Sequence, residues 1–212
     1  MRIKSLVFNP FYENTYVLWD DTKEGIIIDP GCYEPYEIDE IKRFIQDQQI
    51  QVKAIINTHC HIDHVLGNYI LKQTYGCPLW IPEGELEVFR SVVAYAPQWG
   101  IQRYTEAEVD KFLIESDVIQ FGNTSLKSIL VPGHSPGHLV FYNEKEKKLI
   151  GGDVLFRESI GRTDLPGGNH SDLLANIKNK LYTLNDDVEV FPGHGPSTTI
   201  GFEKKHNPFV KA

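Results

Sequence analysis

Three histidines and an aspartate fall within the six residues His59-Cys60-His61-Ile62-Asp63-His64. In extended backbone, residues two apart point to the same side, so His59 and His61 present their imidazoles to one point in space. Two nitrogen ligands from one strand end make half of a tetrahedral zinc site. Where the chain turns into a helix, Asp63 and His64 change direction and face a second point. Further donors recur after later apolar runs: His134 in Pro132-Gly133-His134, Asp153 after Gly151-Gly152, and His194 in Pro192-Gly193-His194. Four imidazoles, from His59, His61, His134 and one of His64 or His194, saturate one ion and leave three donors unused, so the set argues for two metals. The count closes if His59, His61 and His134 hold one ion, Asp63, His64 and His194 hold the other, and Asp153 bridges them. Two divalent ions, two carboxylates and one hydroxide sum to about +1, so a shared water ionises near neutral pH, as when zinc lowers water's pKa to about 7. That hydroxide is a nucleophile, and Asp63 and Asp153 orient it besides binding metal. Paired metals also polarise a carbonyl oxygen and receive a leaving group.

Such a site needs strand ends that converge, and the hydrophobic pattern supplies them. Alternation predicts strands over residues 4–8, 14–19 and 25–28, the last stopped by Asp29-Pro30-Gly31. Ile38, Ile41, Phe44 and Ile45 recur at helical spacing and predict a helix over 36–49. A strand over 53–57 then leads into the histidine segment, and 65–75 reads as the next helix. Residues 76–115 read as an excursion from the sheet, with a short strand at 79–81, a helix at 83–95 and an irregular stretch at 96–105. The second half repeats the rhythm with strands at 118–121, 125–131, 139–142, 148–152 and 189–191. Its helix spans 171–184, with Ser171 as N-cap and Leu174, Ile177, Leu181 and Leu184 as the inner face. Two β-rich halves, each flanked by helices, imply two packed sheets with helices outside.

Composition narrows the function class. The chain has 212 residues with 41% hydrophobic and 24% charged residues, an ordinary globular mixture that reads as one domain over 1–212. A formal net charge of −8 without a clustered basic patch excludes nucleic acid as the expected partner. No apolar run approaches the roughly 18 residues of a membrane span, and the first residues lack the pattern of a secretory signal. Cys32, Cys60 and Cys77 are an odd set with no CxxC pair, which favours a reducing compartment, the cytoplasm, over a disulfide framework.

The segment Thr58-His59-Cys60-His61-Ile62-Asp63-His64 resembles the THxHxDH hallmark of the metallo-β-lactamase superfamily. Asp29-Pro30-Gly31, Pro132-Gly133-His134, Gly151-Gly152-Asp153 and Pro192-Gly193-His194-Gly195 follow in that superfamily's order, so the resemblance covers nearly the whole chain. It implies an α/β (α+β) fold, a four-layer αββα sandwich, and the same seven ligands reached by counting donors. Aspartate at 153, with Gly161-Arg162-Thr163-Asp164 and the tail from Gly193 through Phe209, is similar to short bacterial glyoxalase II-like hydrolases, relatives of hydroxyacylglutathione hydrolase. The resemblance therefore implies hydrolysis of a thioester such as S-lactoylglutathione by a metal-bridging hydroxide. Zinc is the first choice of metal, with iron and manganese also compatible with N/O ligands. Glyoxalase II carries a C-terminal helical domain that helps bind glutathione, whereas 18 residues follow His194 here, which leaves the thiol carrier open. Gly161 to Asp164 also resembles the persulfide dioxygenase branch, a mononuclear iron alternative in which His59, His134 and Asp153 suffice as ligands.

Other residues divide between chemistry and structure. Asp29 either orients a ligand histidine or serves its turn. His138 reads as a structural hydrogen-bonding residue, His170 and His206 as solvated, and the three cysteines as small buried residues. Arg162 is a candidate for a substrate carboxylate, with pairing to Asp164 the simpler reading. Tyr95 and Trp99 read as packing residues first and cleft walls second.

Overall fold

Ile26, Ile27, Ile28, Ile55 and Ile56 form near-uninterrupted β-branched runs, the composition of parallel strands covered on both faces, and each is essentially inaccessible to solvent. A computed structural model describes residues 1–211. It contains two compact units, one of residues 1–113 with 120–124, the other of 114–119 with the described chain from Ser125 onward.

The first unit runs β1 (Arg2–Phe8), β2 (Glu13–Trp19), β3 (Glu24–Ile28), α1 (Pro35–Gln48), β4 (Gln51–Ile56), α2 (Ile62–Val65), α3 (Asn68–Tyr75), β5 (Leu79–Pro82), α4 (Leu86–Tyr95) and β6 (Lys111–Leu113). Its sheet has the order β1-β2-β3-β4-β5-β6. β1, β2 and β3 are antiparallel neighbours, whereas β3 through β6 are parallel. The parallel register pairs Ile28 with Ile56, which brings the residues just beyond both strand ends side by side. Helix α1 begins with a capping box between Glu34 and Glu37 and buries Ile41 and Ile45.

Two expectations for this unit change. The helix expected over 65–75 starts earlier, at Ile62, and breaks between α2 and α3, where the Gly67 N–H turns to the Pro30 carbonyl at 2.7 Å. The stretch 76–115 does not leave the sheet: β5 and β6 extend it, and a single 3₁₀ turn at Ala96–Trp99 lies in the irregular stretch. Three residues, Lys-Phe-Leu, are too few for β6 to show a period.

The chain continues with β7 (Val118–Phe121), β8 (Thr124–Leu130), β9 (Leu139–Asn143), β10 (Lys148–Gly152), β11 (Leu155–Phe156), β12 (Ser159–Ile160), α5 (His170–Asn176), β13 (Glu189–Pro192), β14 (Thr198–Thr199) and α6 (Ile200–His206). The second sheet has the order β14-β13-β10-β9-β8-β7, and β11 and β12 form a separate ribbon. β10 and β13 are parallel, with Gly152 opposite Pro192.

The helix expected over 171–184 is capped by Asn169, whose side chain accepts from Asp172 N–H, rather than by Ser171. It ends in a π-helical turn, Ile177–Leu181. Its fully buried face is Leu173, Ile177 and Leu181, while Leu174 and Leu184 are only partly buried. Leu173, outside the inner face expected from the spacing, is fully buried in the core of this unit. Gly133 has a φ of +135°, and a Cβ there would collide with the Leu173 backbone, so only glycine lets α5 lie this close. Among the described residues, no helix is long and apolar enough to cross a membrane.

Candidate metal centre

The first unit supplies four of the seven expected donors from the loop after β4 and the first turn of α2. Ring centroids lie 4.8 Å apart for His59 and His61 and 4.1 Å apart for His59 and His64. Asp63 Oδ2 stands 3.5 Å from His64 Nε2. Cys60, in the same loop, is buried in the apolar core.

Carboxylates brace this loop from behind. Asp29, at the end of β3, accepts from Thr58 N–H at 2.7 Å and from the Thr58 hydroxyl at 2.6 Å. Its Oδ2 also lies 3.2 Å from His64 Nδ1, the ring nitrogen opposite the one facing Asp63. Asp29 thus has both roles weighed for it, since its φ of +50° also makes the turn. Sequence reasoning missed Glu13, Glu85 and Asn9. Glu13 is fully buried with Oε1 3.9 Å from His64 Nδ1, and burial raises its carboxyl pKa well above the usual range against the opposing pull of His64. Glu85 accepts from Cys60 N–H at 2.9 Å, and Asn9 Nδ2 donates to the Asp63 carbonyl at 2.9 Å. None of the three lies in a histidine-rich segment, so local spacing carried no signal for them.

The second unit supplies His134, Asp153 and His194. The Gly152–Pro192 register and the bond from Gly193 N–H to the Gly152 carbonyl, 2.8 Å, place the ends of β10 and β13 together. One oxygen of Asp153, Oδ2, lies 3.6 Å from His134 Nε2 and 3.5 Å from His194 Nε2. His134 Nδ1 meets the Arg162 carbonyl at 2.8 Å, which fixes the ring and leaves Nε2 directed at Asp153. The Asp153 N–H donates to His138 Nε2 at 3.0 Å, so His138 holds the loop. The Arg162 guanidinium grips Asp164 through two bonds of 2.7 Å, and its main-chain carbonyl is what touches the site.

The donors fit metal ions. Ligand atoms about 2.1 Å from a tetrahedral zinc stand about 3.4 Å from one another. The three N–O separations above, 3.5, 3.6 and 3.5 Å, match that value and exceed an N–H···O bond of about 3.0 Å. Charge agrees: Asp29, Glu85 and Asp153 are buried, while no lysine or arginine is buried among the described residues. Buried anions need compensation, and divalent cations supply it.

Away from the donors, Trp99 is exposed and packs edge-on against Phe11 at 5.7 Å. Tyr95 packs on the core of the first unit. All three thiols are buried and free, and burial pushes the Cys77 pKa up to about 11.

Comparison with known proteins agrees with this geometry. A family model described as the metallo-beta-lactamase superfamily matches residues 8–194 and so spans both units. The chain is 35% identical over 214 residues to hydroxyacylglutathione hydrolase GloC of Haemophilus influenzae, covering 100% of this chain and 99% of that protein. Among solved structures it is similar to the BLEG-1 B3 metallo-beta-lactamase, with a TM-score of 0.91, 35% identity and 100% coverage of both chains. It is also similar to TTHA1623 in a di-iron-bound form, with a TM-score of 0.86, 32% identity and coverage of 98% of this chain and 100% of that one.

Proposed function

The chain belongs to the metallo-beta-lactamase superfamily, and from that premise we propose that it is a dinuclear metal-dependent hydrolase of a thioester, S-lactoylglutathione or a related 2-hydroxyacyl thioester. The observation that carries the hydrolytic reading is the Asp153 oxygen set 3.6 Å from His134 Nε2 and 3.5 Å from His194 Nε2, one carboxylate oxygen placed between two candidate ligand imidazoles. Support for this choice of substrate comes from the relative named hydroxyacylglutathione hydrolase GloC, of which this chain covers 99%.

In this reading His59, His61 and His134 would hold one ion and Asp63, His64 and His194 the other, with Asp153 a ligand common to both sets. When bound, the metals supply Lewis acidity and acidify water. Asp63 and Asp153 orient the attacking water by accepting hydrogen bonds at their carboxylate oxygens. Water adds to the acyl carbon, the carbon–sulfur bond breaks, and the products are a carboxylic acid and the free thiol. His134 keeps its aim because Nδ1 is tied to the Arg162 carbonyl. Zinc, a small-molecule partner and a cytoplasmic location complete the proposal, the last resting on three free cysteines.

The test mixes metal-replete protein with S-lactoylglutathione and follows thiol release. Release well above that of His59→Ala supports the reading, and none across several 2-hydroxyacyl thioesters rejects it. Elemental analysis separates the alternative: about two metals per chain without oxygen uptake fits hydrolysis, whereas one iron with oxygen uptake fits the persulfide dioxygenase chemistry.

A further inference from the structure

Helix α4 touches the ligand loop from both of its ends. Before its first residue, Glu85 is fully buried and its Oε2 accepts from Cys60 N–H at 2.9 Å. At its last residue, the Tyr95 hydroxyl lies by the Ile62 backbone. Cys60 and Ile62 alternate with His59, His61 and Asp63, so α4 grips the main chain between the candidate ligands. On the far side of His59, Asp29 takes Thr58 N–H at 2.7 Å. Carboxylates therefore hold the Asn57–Thr58 peptide on the approach to His59 and the His59–Cys60 peptide just after it.

Burying a carboxylate costs free energy that an apolar side chain of similar volume would not incur. What Glu85 does in return is satisfy a main-chain donor. Cys60 lies just before α2, where no intrahelical carbonyl is available to its N–H. Losing Glu85 would leave the His59–Cys60 peptide without this acceptor, at the link between His59 and the residue that precedes His61.

We propose that Glu85 is a positioning residue of the metal centre: through Cys60 N–H it sets the spread of the His59 and His61 imidazoles. The inference rests on the metal reading above and needs no contact between Glu85 and substrate.

Cobalt(II) titration of the full chain after chelator treatment and dialysis tests it, read by calorimetry and by the d–d absorption bands. Glu85→Gln keeps the side-chain length and an oxygen that accepts from Cys60, while Glu85→Asp keeps the charge but withdraws the oxygen by ~1.5 Å. Expected are cobalt affinity within threefold of wild type and unchanged bands for Glu85→Gln. For Glu85→Asp the expected result is a loss of about 10- to 100-fold with shifted bands. Wild-type behaviour of Glu85→Asp, or a more than tenfold loss in Glu85→Gln, overturns the inference while leaving the metal reading in place. Failure of the wild-type chain to bind cobalt overturns both.

Discussion

Asp29 Oδ2 stands 3.2 Å from His64 Nδ1, while both oxygens of the same carboxylate accept from Thr58. One side chain at the end of β3 therefore orients a ring on α2 and fixes the peptide leading into His59. Removing it in Asp29→Ala should weaken metal binding about 10- to 100-fold, the usual effect of losing a group that orients a ligand. Calorimetric zinc titration checks this, and an affinity within twofold of wild type would show that Asp29 serves its turn only.

Gly161 is where the backbone passes closest to the Asp153 carbonyl, and a Cβ there would collide with it. Gly161→Ala should displace the loop carrying Asp153, lower the bound metal about tenfold and destabilise the fold by about 1–3 kcal/mol. Denaturant melts with parallel metal analysis measure both effects, and an unaltered midpoint would contradict the close approach.

Asp164 is held down to a pKa of about 2, first by the Arg162 guanidinium and then by a backbone N–H. Its folded pKa lies below the unfolded value of about 3.9, so its contribution to stability is complete above that pH and disappears as pH falls toward 2. Carboxyl NMR titration of the metal-free chain should give a midpoint near 2 for Asp164, moving up toward about 3.9 in Arg162→Ala. A midpoint that stays put in the variant would rule out the ion pair as the cause.

Metal removal should destabilise the protein, because ions bind the folded donor set far better than the unfolded chain. At free metal a hundredfold above Kd the contribution is about 2.7 kcal/mol, or roughly 5 °C in Tm for a chain of this size. Scanning calorimetry with and without chelator reads it directly. Equal midpoints would mean that the donors do not hold metal in the folded state.

Local pattern made much of the fold legible. Ile38, Ile41 and Ile45 marked α1, and β-branched runs marked β3 and β4, because each signal lies within one element. The pattern failed where packing overrode it: α5 begins earlier than expected because Asn169 caps it and Leu173 enters the core, and β6 is too short to show a period. Glu13, Asn9 and Glu85 escaped notice because a carboxylate or amide that serves a distant loop looks locally like any surface polar residue.

The sequence by itself determined which residues are candidate donors, His59, His61, Asp63, His64, His134, Asp153 and His194, and the order of the elements that carry them, since residue identity and short-range periodicity are local properties. Only the tertiary structure decided which partners stand behind those donors. Strand register does this: pairing Ile28 with Ile56 puts Asp29 against Thr58 and His64, and pairing Gly152 with Pro192 brings Asp153 to His194. A shift of one residue in either register would send those side chains to the other face of the sheet. Register depends on contacts between segments far apart in the chain, and no window of neighbouring residues contains that information.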